Sequence, residues 1–371
     1  MTSLFSPLSF RRGPAMKNRF MLAPLTNLQS HEDGTCSEDE YHWLTKRAEG
    51  GFGLTMTCAA HVQPEGKGFP GQLGIFSDEH LPGLTRLADG IKAHDSVAIV
   101  QLYHGGMRSP AEIIGMQPLC ASDNEKWGAR AMSTAEVEAM VEAFIVGAQR
   151  AEKAGFHGVE LHGAHGYLLA QFLSAEINQR SDRYGGSLEN RQRVLFDIVH
   201  GIRQRCGSDF MLGVRLSPER FGMNLQEVVQ LSEVLMREGL IEFLDISMWD
   251  VFKMPEDGGA GGKPLLSCFT GLERNGCRLG VAGKLRTPAD LQRAMDLGVD
   301  WVMLGRAAIL HHDFPNRLRA APAFVPVDLP ASPAHLRAEG LSETFVEYMK
   351  SWKGFVQDNE GTIDDELILN S

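Results

Sequence analysis

The chain has 371 residues, 43% hydrophobic and 22% charged, an ordinary globular balance with room for a large core. Its 36 basic and 47 acidic side chains leave a net charge of −11, which argues against a nucleic-acid partner, because that surface needs a basic face. No apolar run reaches the roughly 18 residues of a membrane span, and "MTSLFSPLSFRRGPAMKNRF" lacks the unbroken apolar core of a secretory signal. The six cysteines are scattered, with no C-x-x-C, as expected of reduced thiols in the cytoplasm.

In chain order, eight short apolar runs bounded by Gly, Asp or Pro read as strands. They are Arg19–Thr26, Phe52–Ala60, Val97–His104, Gly158–His165, Phe210–Ser217, Ile241–Met248, Cys277–Lys284 and Asp300–Ala307. Helical patterns lie between them. The clearest is "TAEVEAMVEAFIVGAQRAEKAG", with Thr134 as its expected cap, apolar residues from Val137 to Ala148 at helical spacing, and Gly155 closing it. A second starts after Ser187, a third at "NLQEVVQLSEVLMREG", and a fourth has Thr287 as cap and Pro288 in its first position. Eight strand–helix units in one series predict a (β/α)₈ TIM barrel rather than an open doubly wound sheet. The expected organisation is a single domain over 1–371, with the barrel over about 18–315. The long connection 105–133 is expected to be an inserted lid, and about 316–371 a helical C-terminal extension.

Barrel enzymes carry their chemistry at the C-terminal ends of the strands. Those ends supply Thr26, Ala60, Gln101 with His104, His162 with His165, Arg215, Ser247, Gly283 with Lys284, and Gly305 with Arg306. Glycines after the last two strands, with Arg306, are what a phosphate group needs, although Gly283 and Gly305 also serve simply as turns. "GGAGGKP" (Gly258–Pro264) lacks the Ser or Thr and the helix of a P-loop and reads as a flexible loop. No G-x-G-x-x-G opens a helix after a strand, so a nicotinamide cofactor is not held by a Rossmann unit.

The segment "HGAHGY" admits three readings. A metal site needs three protein ligands; His104 is the available third, and no carboxylate stands at a neighbouring strand end. Ordinary packing of two satisfied histidines is the second. The third is substrate holding, in which two neutral imidazoles donate N–H bonds to a carbonyl oxygen. Each good donor to a developing oxyanion in a dry site is worth about 3–4 kcal/mol. Tyr167 would then supply a proton. Two donors and one acid are the groups needed to reduce a C=C bond next to a carbonyl.

The stretch "HGAHGYLLAQFLSAEINQRSDRYGGSLENRQR" resembles the Old Yellow Enzyme family of FMN-dependent ene-reductases, and the likeness extends from "RFMLAPLT" to "LGRA". The resemblance implies a (β/α)₈ barrel with non-covalent FMN at its C-terminal mouth and NADPH or NADH as hydride donor. It implies a ping-pong reduction of an enone-type small molecule. Ala23, Pro24, Leu25 and Thr26 would run along the flavin, Ala60 would let its ring sit close, and Gln101 would bond its pyrimidine edge. Arg215 would face N1, and Gly283, Gly305 and Arg306 would grip the phosphate. His162 and His165 would hold the substrate, and Tyr167 would donate the proton. FMN-dependent dehydrogenases, demethylases and dienoyl thioester reductases share the same barrel core. A metal-dependent barrel hydrolase using His104, His162 and His165 is the reading outside the family. The chain departs from the family pattern at "HGGMR", which displaces Arg108. It also has Thr26 where some members have Cys and Leu28 where some have a substrate-contacting Tyr. No arginine reaching a neighbouring subunit is legible in the tail, so monomer and homo-oligomer are both open.

Overall fold

The computed structural model describes residues 4–256, 258 and 261–357. Part of the Gly258–Pro264 loop and the last part of the C-terminal extension, 358–371, lie outside them. Eight parallel strands close into a barrel in sequence order: β1 (Phe20–Leu22), β2 (Leu54–His61), β3 (Val97–Tyr103), β4 (Gly158–Gly163), β5 (Met211–Leu216), β6 (Phe243–Ser247), β7 (Arg278–Ala282) and β8 (Trp301–Leu304). Closure comes from Phe20 beside Val302 and Leu22 beside Leu304. Each expected run holds one strand. They read as continuous apolar runs because both faces are covered, one by the barrel interior and one by helices.

The helices follow in turn: α1 (Glu38–Glu49), α2 (Leu81–Lys92), α3 (Thr134–Lys153), α4 (Leu188–Arg205), α5 (Leu225–Arg237), α6 (Ser267–Thr270), α7 (Pro288–Asp296) and α8 (Arg306–Leu310). In α3 the cap is Ser133, not Thr134. The Ser133 side chain takes the Glu136 amide and the Glu136 carboxylate returns to the Ser133 amide, a reciprocal box that Thr134 cannot form. Gly155 leaves the helix at φ +85°, a left-handed turn that favours glycine. Ser187 and Thr287 cap α4 and α7 as expected. Among the described residues, only one helical turn, α6, stands between β6 and β7.

The lower half of the barrel is packed with Met21, Leu54, Met56, Ile99, Phe243 and Trp301. An N-terminal hairpin plugs it from below. Leu8 and Met16 exchange backbone bonds at 3.0 and 2.9 Å, and Phe10 sits edge-on to Trp301 at 5.8 Å. Gly213 is required here, since a Cβ would stand 1.9 Å from the Phe243 ring.

One irregularity sets the geometry of the mouth. Met56 pairs with Ile99, but Ala59 pairs with Gln101, so β2 gains one residue over β3 in between. Such a bulge reverses which side chains point inward. Leu54 and Met56 face the barrel interior, whereas Cys58 and Ala60 join the outer core beneath the helices.

The 105–133 connection is built rather than open. It contains a helical turn at Ala111–Ile114, a two-residue pairing of Leu119–Cys120 with Arg130–Ala131, and a small core of Met107, Cys120 and Ala129. Arg180 ties it down through the Ala121 carbonyl at 3.0 Å. The C-terminal extension forms α9 (Phe314–Ala320), α10 (Pro333–Ala338) and α11 (Glu343–Lys350). Phe345 of α11 packs edge-on against Trp43 of α1 at 4.8 Å.

Candidate active site

Two recesses open side by side at the C-terminal mouth and share Pro24, Leu25 and Arg215. The larger, of about 720 Å³, is bounded by Ala23, Ser247, Gly283, Gly305, Arg306 and Trp352. The second holds Thr26, Ala59, Gln101, His162, His165 and Tyr167. Every residue expected to hold the flavin or the substrate, except one, therefore lines a single continuous cleft. The exception is Ala60, which is wholly buried in the outer core. The bulge in β2 turns it away and presents Ala59 instead. Leu28 is also absent from the wall, and Phe69 from the loop after β2 stands there.

Beneath the mouth lies a buried polar layer. Gln101 donates to Glu160 at 2.7 Å, the residue beside it in the β3–β4 register. Arg215 pairs in register with His162 on one side and Asp245 on the other. Burial, and then the Glu160 charge, pushes the Asp245 carboxyl well above the usual carboxylate range. The Arg215 Nε has no hydrogen-bond partner among the described residues. An unpartnered buried guanidinium N–H on a cavity wall calls for an anionic or acceptor group from outside the chain.

Gly283 cannot carry a side chain, because a Cβ would stand 2.1 Å from the Met248 carbonyl. Gly305 precedes α8 without any side-chain cap, leaving the first amides of that turn and Arg306 facing the cleft. Glycine cradle, free amides and half-buried guanidinium together form the donor set that a phosphate requires.

The histidine pair is neutral. Burial, followed by the Arg215 charge, holds both imidazoles well below their ordinary value. The Nδ1 of His162 accepts the Ala164 amide at 3.3 Å, which leaves the proton on Nε2. The Nε2 of His165 is engaged with the Ser247 hydroxyl at 2.7 Å, and Ser247 in turn accepts from Arg215 at 3.3 Å. The backbone of His165 is left-handed, at φ +58°, and is held by Ser217 on its amide and by Arg108 on its carbonyl at 2.5 Å. Arg108, displaced in sequence, also lies 5.0 Å over the Tyr167 ring. Gln171 clamps the turn to the preceding loop, accepting from Met107 at 3.1 Å and donating to the Gly166 carbonyl at 2.8 Å.

Tyr167 is nearly buried, and burial raises its hydroxyl above its ordinary value, so it keeps its proton at neutral pH. Tyr103, which sequence reading passed over, hydrogen-bonds to Tyr167 with ring centroids 4.5 Å apart. The signal for it was the period of two from Gln101, which puts Tyr103 on the same face. His104 consequently points away. Among the described residues, His104, His162 and His165 form no group within ligand distance; the groups that do are His311, His335 and Glu339, and His312, Asp313 and Glu339, none of which lines the cleft. The His311 Nε2 accepts the Val327 amide at 2.9 Å, which leaves its Nδ1 protonated and unfit as a ligand. Among the described residues no helix is long and apolar enough to cross a membrane.

Residues 3–321 match the profile of the NADH:flavin oxidoreductase / NADH oxidase family. A probable NADH-dependent flavin oxidoreductase, YqiG of Bacillus subtilis (strain 168), is 36% identical over 318 residues, covering 83% of this chain and 85% of its own length. An NADH:fumarate oxidoreductase of Klebsiella pneumoniae (strain 342) is 34% identical over 334 residues, but this chain spans only 36% of that relative. The solved structure of the old yellow enzyme homologue from Zymomonas mobilis superimposes with a TM-score of 0.76 at 27% identity, covering 93% of this chain and 99% of that one. The chain therefore belongs to the NADH:flavin oxidoreductase / NADH oxidase family and is an FMN-dependent NAD(P)H:flavin oxidoreductase of the Old Yellow Enzyme group.

Proposed function

We propose that the enzyme reduces the C=C bond of α,β-unsaturated carbonyl compounds in two alternating half-reactions at one pocket, within one FMN-binding domain. The observation that carries this reading is the placement of the neutral His162 Nε2–H and the protonated Tyr167 hydroxyl on one wall, with ring centroids 5.0 Å apart. A carbonyl oxygen held by the imidazole leaves its own α-carbon near the phenol.

FMN, when bound, supplies hydride to the β-carbon after drawing it from NADH or NADPH. The chain's residues do the rest. Ala23, Pro24, Leu25 and Thr26 line the long side of the cofactor, and Ala59, in the place expected of Ala60, admits the ring. Gln101, oriented by Glu160, would bond the flavin ring. Arg215 would offer its Nε–H to the ring and favour its reduced, anionic form. Gly283, Gly305 and Arg306 would hold the phosphate.

His162 donates to the substrate oxygen through Nε2. His165 acts through its other nitrogen: Ser247, fed by Arg215, donates to Nε2 and fixes the proton on Nδ1, the atom left for the carbonyl. Tyr167 gives its proton to the α-carbon, and Tyr103 donates to the Tyr167 oxygen as the charge forms. Burial excludes the water that would compete for both donors.

The partner is a small molecule; the acidic chain supports no nucleic-acid role, and its free cysteines suit the cytoplasm. The test is the visible spectrum of the purified protein, followed under anaerobic NADPH and then an enone. Flavin colour that bleaches with NADPH and returns with a saturated product supports the proposal. Colour that bleaches but returns only with a dienoyl thioester, or with no alkene, assigns the chain to another reaction of the family. His162→Ala is expected to stay yellow and to bind phenols and enones more weakly.

A further inference from the structure

A third recess of about 440 Å³ adjoins the cleft and shares its His165 and Ser247 wall. Its floor is the loop after β5. Arg220 and Phe221 there both adopt left-handed backbone, at φ +69° and +55°, a costly conformation for bulky residues. The Met223 amide holds the turn through the Arg220 carbonyl at 2.9 Å, and Ser174 holds the Gly222 carbonyl at 2.7 Å.

The turn presents a half-buried guanidinium. Among the described residues, Arg220 forms no ion pair and donates no hydrogen bond. Its guanidinium lies 5.5 Å over the Phe221 ring and 5.4 Å over the Trp249 ring. The other cation in the recess, Lys253, is paired with Glu219 at 2.8 Å and with Glu256 at 3.2 Å. Arg220 is therefore the cation of the recess wall that has no ion-pair partner among the described residues. Phe221 links it to the chemistry, its ring centroid standing 6.2 Å from that of His165. After burial, Arg215, His162, Arg108 and Arg220 all act on His165 in the direction that disfavours its protonation. An acceptor lodged here meets donors and aromatic faces, with a free guanidinium at the far end.

We propose that this recess is a carboxylate subsite, and that the enzyme's acceptors carry a carboxylate at the end remote from the reacting carbonyl, paired with Arg220. Phe221 and Trp249 would flank the hydrocarbon between the two groups. A single guanidinium suits a monoanion, and the planar fork matches carboxylate geometry. The identification of the carbonyl end rests on the function proposed above; the anion end rests on Arg220 alone.

The experiment compares p-cresol with 4-hydroxyphenylacetate on the oxidised FMN holoenzyme, reading the change in the flavin spectrum. The native enzyme is expected to bind the carboxylate-bearing phenol at least about ten-fold more tightly, with the preference shrinking in high salt. Arg220→Asn, chosen because asparagine tolerates left-handed backbone, should abolish the preference, and Arg220→Lys should restore part of it. Equal affinities in the native enzyme, or a preference that survives Arg220→Asn, would overturn the proposal. Failure to reduce any alkene refutes the ene-reductase reading but leaves this ligand preference standing, so the two failures are separable.

Discussion

Replacing Tyr167 by Phe removes one hydroxyl from a wall that is otherwise undisturbed, and the proposed acid role and the Tyr103 contact give that loss two separate consequences. The first is catalytic. A positioned general acid contributes roughly 10²–10⁴-fold, or about 3–5 kcal/mol of barrier at about 1.4 kcal/mol per factor of ten. Only the oxidative half-reaction contains the proton transfer, so stopped-flow reduction of the flavin by NADPH should be little changed. Reoxidation by an enone should slow by about that factor. The second consequence is structural. Tyr103 is 1% exposed and donates to the Tyr167 oxygen, so the variant leaves a buried hydroxyl without its acceptor. That costs about 1–3 kcal/mol of stability, measurable as a lower urea midpoint. The double variant Tyr103→Phe/Tyr167→Phe removes both ends and should regain part of it. Equal slowing of both half-reactions would refute the acid role. A double variant no more stable than the single one would refute the hydrogen-bond reasoning.

The two alanines at the bulge should respond oppositely. Ala59→Leu is expected to give a folded, colourless protein, read by the flavin-to-protein absorbance ratio. Ala60→Leu should keep the flavin but lose about 1–3 kcal/mol through overpacking. Ser247→Ala should weaken phenol binding by unfixing the His165 proton while the protein stays yellow; unchanged affinity would dismiss the Arg215–Ser247–His165 chain. Burial holds the buried His104 imidazole down to about 3 and His61 to about 4. The unfolded chain takes up both protons near pH 6.5, whereas the folded chain refuses them until pH 4 or below. Stability from these two groups is full above pH 6.5 and falls as the pH drops, by up to about 3 kcal/mol for each near pH 4. His104→Gln should flatten that limb of the urea-midpoint profile; an identical slope would show that other groups produce it.

The barrel was legible because its evidence is repeated. Strands buried on both faces are plain apolar runs, and Ser187 and Thr287 announce their helices by side-chain chemistry alone. What escaped depends on neighbours. The Ser133 cap was visible in the Ser133–Glu136 spacing and was lost to the more obvious Thr134. The bulge after Met56 leaves no local mark, because Thr57 and Cys58 suit either face, so strict alternation pointed to Ala60. Phe69 and Trp352 reach the cleft from a loop and from the distant extension, and only the tertiary fold brings them there. Arg215, Gln101 and the histidine pair could be found because polar groups on otherwise apolar strands are conspicuous wherever the chain goes next.

Trp352 gives the tail a thermodynamic role. It sits in the same recess as Arg306 and Gly305, and the helix before it is latched to the first loop of the barrel by Ser342 on the Gln29 side chain at 2.7 Å. A ligand that fills the recess gains contact with the docked tail, so filling and docking share one coupling free energy. The flavin-loaded enzyme should then protect α11 from proteases better than the empty one, and trimming the chain through α11 should loosen the cofactor by the same factor. The extension is in this sense a reporter of cofactor occupancy, readable at the surface from outside the barrel.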